Sequence, residues 1–466
     1  MGKWYNVKIL IFQKSEIKKD VFIFTIKGVF NMLTILGFCM ILTFLVLVIT
    51  KRLSVVVAFI FTAIAFGLIG GFASEMGDMM VAGILKVTPT AVMIVFAILY
   101  FGLMIDVGLF EPMIAKILSF VKGDPLKVVM ATAIITMLVG LDGDGSSTFM
   151  ITVSAMLPLY IKLGMNRLVL ACVVGLAAGV MNMIPWGGPL VRAAASLQVE
   201  VSELFIPLIP VMICGLLWTL FSAYVLGKKE RERLGVSSME TNMPPGMGEQ
   251  AAAVETAPKG TSRLFWFNWS LTILLMVLLV MEVLPIQILF ASAFAIALFV
   301  NFPNPKEQQE RILSHANSFV MICTLIFAAG IFTGVFTETK MMDSMAASIV
   351  TVIPEWLGAH LPLVVALTSI PMGFIFSPDA YYFGILPIIS ETAANFGIAP
   401  VEIGRAALLG HSTAGFPLSP LVPATFILIG LVGVDFGDHQ KFLFKWAFGT
   451  TIIMTIAAIA FGVITL

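Results

Sequence analysis

From Met32 onward, apolar runs long enough to cross a bilayer follow one another with hardly a charged side chain inside them. Hydrocarbon offers the backbone no water to bond, so a crossing segment must be a helix or a strand of a closed barrel. Runs near the ~20 residues a helix needs to span the bilayer favour helices. Composition agrees: 59% of the chain is hydrophobic and 12% charged, against about 25% charged in a soluble domain. The fold class that follows is an all-α polytopic membrane protein. Zero net charge gives no sign of a nucleic-acid partner. Cys39, Cys172, Cys214 and Cys323 lie inside apolar runs without metal-ligand spacing and read as small core residues.

The order of the runs is informative. Runs 32–50, 53–72 and 88–110 are followed by two shorter ones, 125–141 and 149–163, flanking Asp142-Gly143-Asp144-Gly145-Ser146-Ser147-Thr148. Two short apolar arms around a polar tip suggest a re-entrant hairpin. Run 167–184 is broken by Pro185-Trp186-Gly187-Gly188-Pro189, a density of proline and glycine that ends a helix. Run 203–227 closes the half. The 228–263 segment is charged, then Pro/Gly/Ala/Glu-rich, and reads as a solvated linker. Runs 264–283, 285–300 and 313–336 follow it. Runs 361–376 and 381–395 flank a second tip, Ser377-Pro378-Asp379-Ala380, and 401–415 enters a second break, Pro417-Leu418-Ser419-Pro420-Leu421-Val422-Pro423. Run 441–466 ends the chain.

Tip and break recur in the same order. Phe96-Ala97 answers Phe327-Ala328, and Met156-Leu157-Pro158 answers Ile385-Leu386-Pro387. Each half, 32–227 and 264–466, holds five crossings and one hairpin, and an odd number turns the second half upside down. This is the inverted-repeat plan of secondary transporters, with the site where broken helices meet near the midplane. With the linker in the cytoplasm, seventeen Lys and Arg fall inside against four outside (Lys86, Arg192, Lys340, Arg405), in keeping with the positive-inside rule. The first hairpin then opens inward and the second outward. Six lysines in residues 1–31 would lie on the wrong side, so translation is expected to begin at Met32, with 1–31 a basic extension arising from a start-site artefact. N-terminal sequencing of the native protein that finds residues before Met32 would exclude this.

The polar sites carry the chemistry. A helix beginning at a tip leaves N–H groups facing the cavity, suited to a carboxylate or phosphate. Gly143 and Gly145 permit close backbone approach, and Ser146, Ser147 and Thr148 add hydroxyls. Asp142 and Asp144, with Asp379 at the second tip, repel an anion and are hard oxygen ligands for Mg²⁺, Ca²⁺ or a similar cation. A cation and an anion bound together satisfy both. Asn182, Gly187, Gly188, Ser377 and Ser419 lie where helix ends come free. Arg192 is either a bidentate carboxylate clamp or an extracellular anchor, and Arg405 is a helix-end residue. Glu391, an acid in the returning arm, and His411, in the broken helix, are the proton-coupling candidates, although a lone His in a packed helix is commonly a core residue. His315, His360 and His439 lie at run ends and carry no assignment.

Together Asp142-Gly143-Asp144-Gly145-Ser146, Pro185-Trp186-Gly187-Gly188-Pro189, Asp379-Ala380-Tyr381 and Ser419-Pro420-Leu421-Val422-Pro423 resemble the citrate–divalent metal:proton symporter family, CitMHS, of the ion-transporter superfamily. The similarity runs from Met32 to Leu466 and includes Ile98-Leu99-Tyr100-Phe101-Gly102 and the segment 121–127. It implies import of citrate complexed to a divalent metal, driven by protons, by a homodimer in the cell membrane whose hairpin-bearing domain moves elevator-fashion against a scaffold. The divalent cation is then part of the substrate, and no cofactor is tightly bound. Related carboxylate transporters carry Ser-Asn-Thr at their tips; the aspartates here fit a metal-bearing substrate, and Pro378 departs from the Asn expected before Asp379. The nearest alternative is a superfamily carrier of a free dicarboxylate or an oxyanion. No His-Glu-x-x-His is present, so the chain is not read as an enzyme, and proline-broken repeats argue against a passive channel.

Overall fold

The computed structural model describes residues 32–121, 123–235 and 262–465, which form helices and turns with no strand among the described residues. The basic segment 1–31 and most of the 228–263 linker lie outside the described residues. Helices α1 (Met32–Ile49), α2 (Val55–Ile69) and α3 (Met76–Asp106) come first. A short α4 (Glu111–Val121) leads to a hairpin with arms α5 (Pro125–Val139) and α6 (Gly145–Lys162). Helix α7 (Arg167–Met181) breaks before α8 (Gly188–Leu197), and α9 (Val201–Leu234) ends the run.

A second run follows the same order. It contains α10 (Ser262–Val280), α11 (Ile286–Asn301), a polar α12 (Pro305–Ser314), α13 (Ala316–Glu338), and the short α14 (Met341–Val350) and α15 (Glu355–Ala359). The second hairpin pairs α16 (Leu361–Ile375) with a π-helical turn, Ala380–Ile385, that continues as α17 (Leu386–Ala394). Helix α18 (Pro400–Gly410) passes through another π-helical turn, His411–Gly415, into α19 (Phe416–Leu418), breaks, and resumes as α20 (Pro423–Val432) before α21 (Phe436–Ala460).

Among the described residues six helices are long and apolar enough to cross a membrane, or seven if Pro400–Leu418 and Pro423–Val432, bent by 44°, form one broken span. Shorter apolar helices include α2, α7, α11 and α16. Carboxylate and amide caps set several helix starts. Asp124 accepts the Leu126 N–H at 3.0 Å ahead of Pro125, whose missing N–H costs nothing in a first turn. Asn166 and Asp435 cap α7 and α21 in the same way.

The two runs pack with exchanged partners. Helices α3 and α13 lie along each other, α11 packs on α3, and α2 packs on α13. Farther out, α20 packs on the returning arm α6, while α8 packs on the returning arm α17. Helices α9 and α21 pair, and each also touches the first arm of its own run's hairpin. An aromatic cluster joins the pieces: Phe44 stacks on Phe59 at 4.5 Å, and Phe59 meets Phe332 at 5.3 Å and Phe383 of the second hairpin at 5.2 Å.

Helix α3 begins twelve residues before the run expected at 88–110 and carries Pro89 inside it. A membrane helix tolerates proline where its surroundings satisfy the freed carbonyl. Residues 305–314, between the runs read at 285–300 and 313–336, form the separate, solvent-facing α12. The amphipathic α4 and α14, expected as connections, are helical.

At one end of the bundle Arg231 bonds Asp124 through Nε at 2.9 Å and through Nη2, and Glu230 accepts the Asn166 N–H at 2.8 Å and Arg233 Nη2 at 2.7 Å. The Arg231 guanidinium holds the Asp124 carboxyl below the usual carboxylate range. A depressed carboxylate contributes stability that is present above its unfolded pKa and lost as pH falls through the folded one. The thermal unfolding midpoint should therefore fall on acidification below about pH 5. Asp124→Asn should melt lower at neutral pH and lose part of that acid dependence; parallel curves for variant and wild type would contradict the assignment.

Candidate functional site

The first tip is a tight turn built by its own acids. After α5 a 3₁₀ turn, Gly140–Asp142, leads to Gly143 at φ 80°, ψ 0°, a left-handed conformation that glycine adopts without strain. Asp142 is buried and accepts the Asp144 N–H at 2.7 Å. Asp144 caps α6, accepting the N–H groups of Ser146 at 3.2 Å and Ser147 at 3.0 Å and the Ser147 hydroxyl at 2.6 Å. This differs from the expectation that the tip's amides face the cavity unpaired. Asp144 takes them, so the tip presents carboxylate oxygens more than N–H groups. A small, water-sized crevice opens here, lined by Gly143, Asp144, Gly145, Thr148, Met181 and Asn182 among others.

The first break closes on that tip. Asn182 ends α7 and is buried. Trp186 donates its indole N–H to the Leu141 carbonyl at 2.9 Å and stacks on Phe101 at 4.7 Å. A side chain at Gly143 would put its Cβ 2.4 Å from Trp186 Cδ1, and one at Gly187 would put it 2.1 Å from the Asn182 carbonyl. Gly188 begins α8, and one turn on, Arg192 donates from Nε to Asp379 Oδ1 of the second tip at 2.7 Å. Arg192 is thus placed against the second tip and not at a free outer surface.

The second break is held from outside itself. The carbonyls that the interrupted helix leaves without intrahelical partners are taken by Thr425 (to Phe416, 3.0 Å), His439 (to Pro417, 3.0 Å) and Gln440 (to Leu418, 2.9 Å). Ser419 is buried and accepts the Leu421 N–H at 3.0 Å. Phe416 packs against Gly145, where a Cβ would lie 2.4 Å from the ring, and stacks on Phe149 at 5.8 Å. At the second tip Ser377 accepts the Ala380 N–H at 3.3 Å. Tyr381 lies parallel on the His411 imidazole at 4.7 Å, with Tyr382 edge-on at 4.9 Å. His411 is buried, and neither ring nitrogen has a hydrogen-bond partner among the described residues.

Residues at or next to each tip therefore contact residues at or flanking both breaks. Gly143 meets Trp186, Gly145 meets Phe416, Asp379 meets Arg192, and Tyr381 meets His411. Asp142, Asp144 and Asp379 are not gathered into one ligand set, and among the described residues no three His, Cys, Asp or Glu side chains are. Glu391 lies away from the assembly, partly buried beside Asp343 and Lys340. Trp186 and Tyr381 stand in the motifs quoted above without a role of their own, and Phe416 and Tyr382 in none; apolar and aromatic side chains in an aromatic-rich chain give no local signal of a structural role. His439, left without assignment at a run end, bonds a carbonyl 22 positions away, a contact with no local signal.

Fold and site together define a multi-span helical membrane protein whose polar centre is made from two hairpin tips and two broken helices. The family model described as CitMHS, Citrate transporter, matches residues 44–410. The chain belongs to this family of multi-span membrane transporters. It is 55% identical over 434 residues to the Citrate transporter of Bacillus subtilis (strain 168), covering 93% of this chain and 100% of that protein. It is 53% identical over 436 residues to the Mg(2+)/citrate complex secondary transporter of the same organism, again over 93% and 100%. Among solved structures it resembles the Alcanivorax borkumensis YdaH transporter (TM-score 0.56, 14% identity, 85% of this chain and 89% of that one). It also resembles Neisseria gonorrhoeae MtrF (TM-score 0.58, 14% identity, 83% and 84%). At that identity the likeness speaks for the fold alone.

Proposed function

We propose that this protein imports citrate complexed to a divalent cation such as Mg²⁺ or Ca²⁺, coupled to protons, by alternating access. The observation that supports the reading is that residues at each tip contact residues beside both breaks, with Asp142 and Asp144 at the first tip and the Arg192–Asp379 pair at the second. Two relatives above 50% identity, a citrate transporter and a Mg²⁺/citrate complex transporter, support the substrate. Asp142 and Asp144 at the first tip and Asp379 at the second, which the structure does not gather into one ligand set, are the hard-oxygen candidates for a cation that arrives already held by citrate. Thr148, Asn182, Arg192 and the glycine-lined backbone receive the carboxylate.

The two runs are read as inverted repeats, which the exchanged packing of α2, α3, α11 and α13 supports. Hairpins and broken helices form the moving unit of a homodimer, against a scaffold of α1–α3 and α10–α13, in the cell membrane with the 228–263 linker in the cytoplasm. Ion pairs fit that sorting of loops into two sides: Arg231–Asp124 and Arg311–Asp106 join groups assigned to one side, and Lys86–Glu338 joins groups assigned to the other; the orientation itself rests on the excess of Lys and Arg. His411, inside the tip assembly, is the better placed of the two proton-carrier candidates; Glu391 sits apart from it.

The test is radiolabelled citrate uptake with Mg²⁺, Ca²⁺, Zn²⁺ or Ni²⁺, with and without a protonophore, for wild type and for Asp142→Asn, Asp144→Asn and Asp379→Asn. Loss of a hydrogen bond to a charged group costs about 1.5–3 kcal/mol, so each variant should lose roughly 10- to 100-fold of wild-type metal-dependent uptake. Full uptake by all three would overturn the site, and absence of uptake with every metal would overturn the function.

A further inference from the structure

Arg192 and Asp379 come from opposite runs of the chain, one turn past the first break and at the second tip. Their ion pair uses one bond of the several that the two groups can make. Nε of Arg192 donates to Oδ1 of Asp379 at 2.7 Å, and among the described residues the Nη groups of Arg192 and Oδ2 of Asp379 have no hydrogen-bond partner. The side chains are 25% and 21% exposed, so neither is sealed from a small ligand. A guanidinium with unused Nη groups can still take a carboxylate, and a carboxylate with a spare oxygen can still take a cation.

We propose, building on the metal–citrate reading, that this pair is the selectivity element that admits only a carboxylate already joined to a cation. In such a complex the substrate carboxylate meets Arg192 and the metal meets Asp379. Charges then alternate around a closed ring of Asp379, Arg192, substrate carboxylate and metal, and every neighbouring pair attracts. Free citrate at Arg192 would lie against the Asp379 carboxylate, and a free cation at Asp379 would lie against the guanidinium. Each lone ligand meets one like charge in a partly desolvated place, where repulsion is stronger than in water. The two residues thus reject the separate components and accept their sum, a case of selectivity gained by repelling the wrong ligand.

Calorimetry on the purified full-length protein tests this with three probes: citrate under EDTA, Mn²⁺ alone, and Mn²⁺–citrate. Wild type should bind Mn²⁺–citrate at least about 10-fold more tightly than either component, the equivalent of one like-charge contact avoided. Asp379→Asn should bind metal-free citrate about 10-fold more tightly than wild type does, with Mn²⁺ adding little. Arg192→Gln should show the mirror image, binding Mn²⁺ alone about 10-fold more tightly, read also as loss of the free Mn²⁺ paramagnetic resonance signal. Because the two variants gain opposite ligands, either one decides the matter if the other does not fold. Equal weakening of all probes, with the wild-type ratios preserved, would show that the pair only ties the tip to the break and would overturn the inference alone. A wild type that binds no form of citrate would overturn both this inference and the transport reading beneath it.

Discussion

Gly143→Val should abolish metal–citrate uptake. Residue 143 has φ 80°, and a left-handed backbone costs an L-residue about 1–2 kcal/mol, more when it is β-branched. The greater penalty is steric, because the new Cβ would fall 2.4 Å from Trp186 Cδ1 and 2.9 Å from its Nε1. The indole cannot move aside cheaply. It bonds the Leu141 carbonyl, stacks on Phe101 and meets Phe290 edge-on at 5.0 Å. The tip must therefore separate from the first break, taking the two acids of the tip away from Asn182. Uptake should fall by at least about 100-fold, a loss near 3 kcal/mol at the site. Phe101→Ala tests the same clasp more gently and should recover part of the activity of Gly143→Ala, since it frees the ring to yield.

The second large effect lies outside the tips and breaks. Gly83→Leu should leave no folded protein to purify. Helices α3 and α13 approach backbone to backbone at Gly83, Gly330 and Gly334, the close contact that small residues allow between membrane helices. A Cβ on Gly83 would sit 2.0 Å from the Gly330 carbonyl oxygen, and one on Gly334 would sit 2.4 Å from the Met79 carbonyl oxygen. Those atoms are main chain and cannot rotate away, so the helices must part along the contact that joins the two runs. Overpacking of this kind costs about 3 kcal/mol or more. Gly77→Ala in the same helix is the control. Nothing lies within 4 Å of its Cβ position, so the change should be neutral or stabilising by about 0.5–1 kcal/mol. Size-exclusion profiles and thermal unfolding of the three proteins decide it.

Much of this architecture was legible because membrane helices announce themselves as apolar runs, and because glycine, proline and aspartate mark where such a run fails. Asp142 to Thr148, Pro185 to Pro189, Ser377 to Ala380 and Pro417 to Pro423 were found that way, and the structure joins all four. What stayed hidden depends on contacts distant in sequence. Arg192 and Asp379 are 187 positions apart, and nothing local pairs them. The rescue of the second break by His439 and Gln440 is likewise a tertiary event. The run read at 88–110 understates its helix, which starts at Met76 and carries Pro89 inside it, because the polar and small residues ahead of Thr88 hide the earlier turns. Asp144 shows the limit of reading residue types. Its carboxylate was expected for a cation, and it also caps α6, so one side chain both shapes the tip and charges it.

The central claim, that citrate and metal travel as one substrate, is tested most directly by counting both in the same vesicles. Wild-type protein reconstituted into liposomes should accumulate radiolabelled citrate and radiolabelled Mn²⁺ in a fixed ratio. A chelator should stop both together, and a protonophore should collapse both. Citrate that enters at full rate under the chelator, or enters with no accompanying metal, would contradict the account.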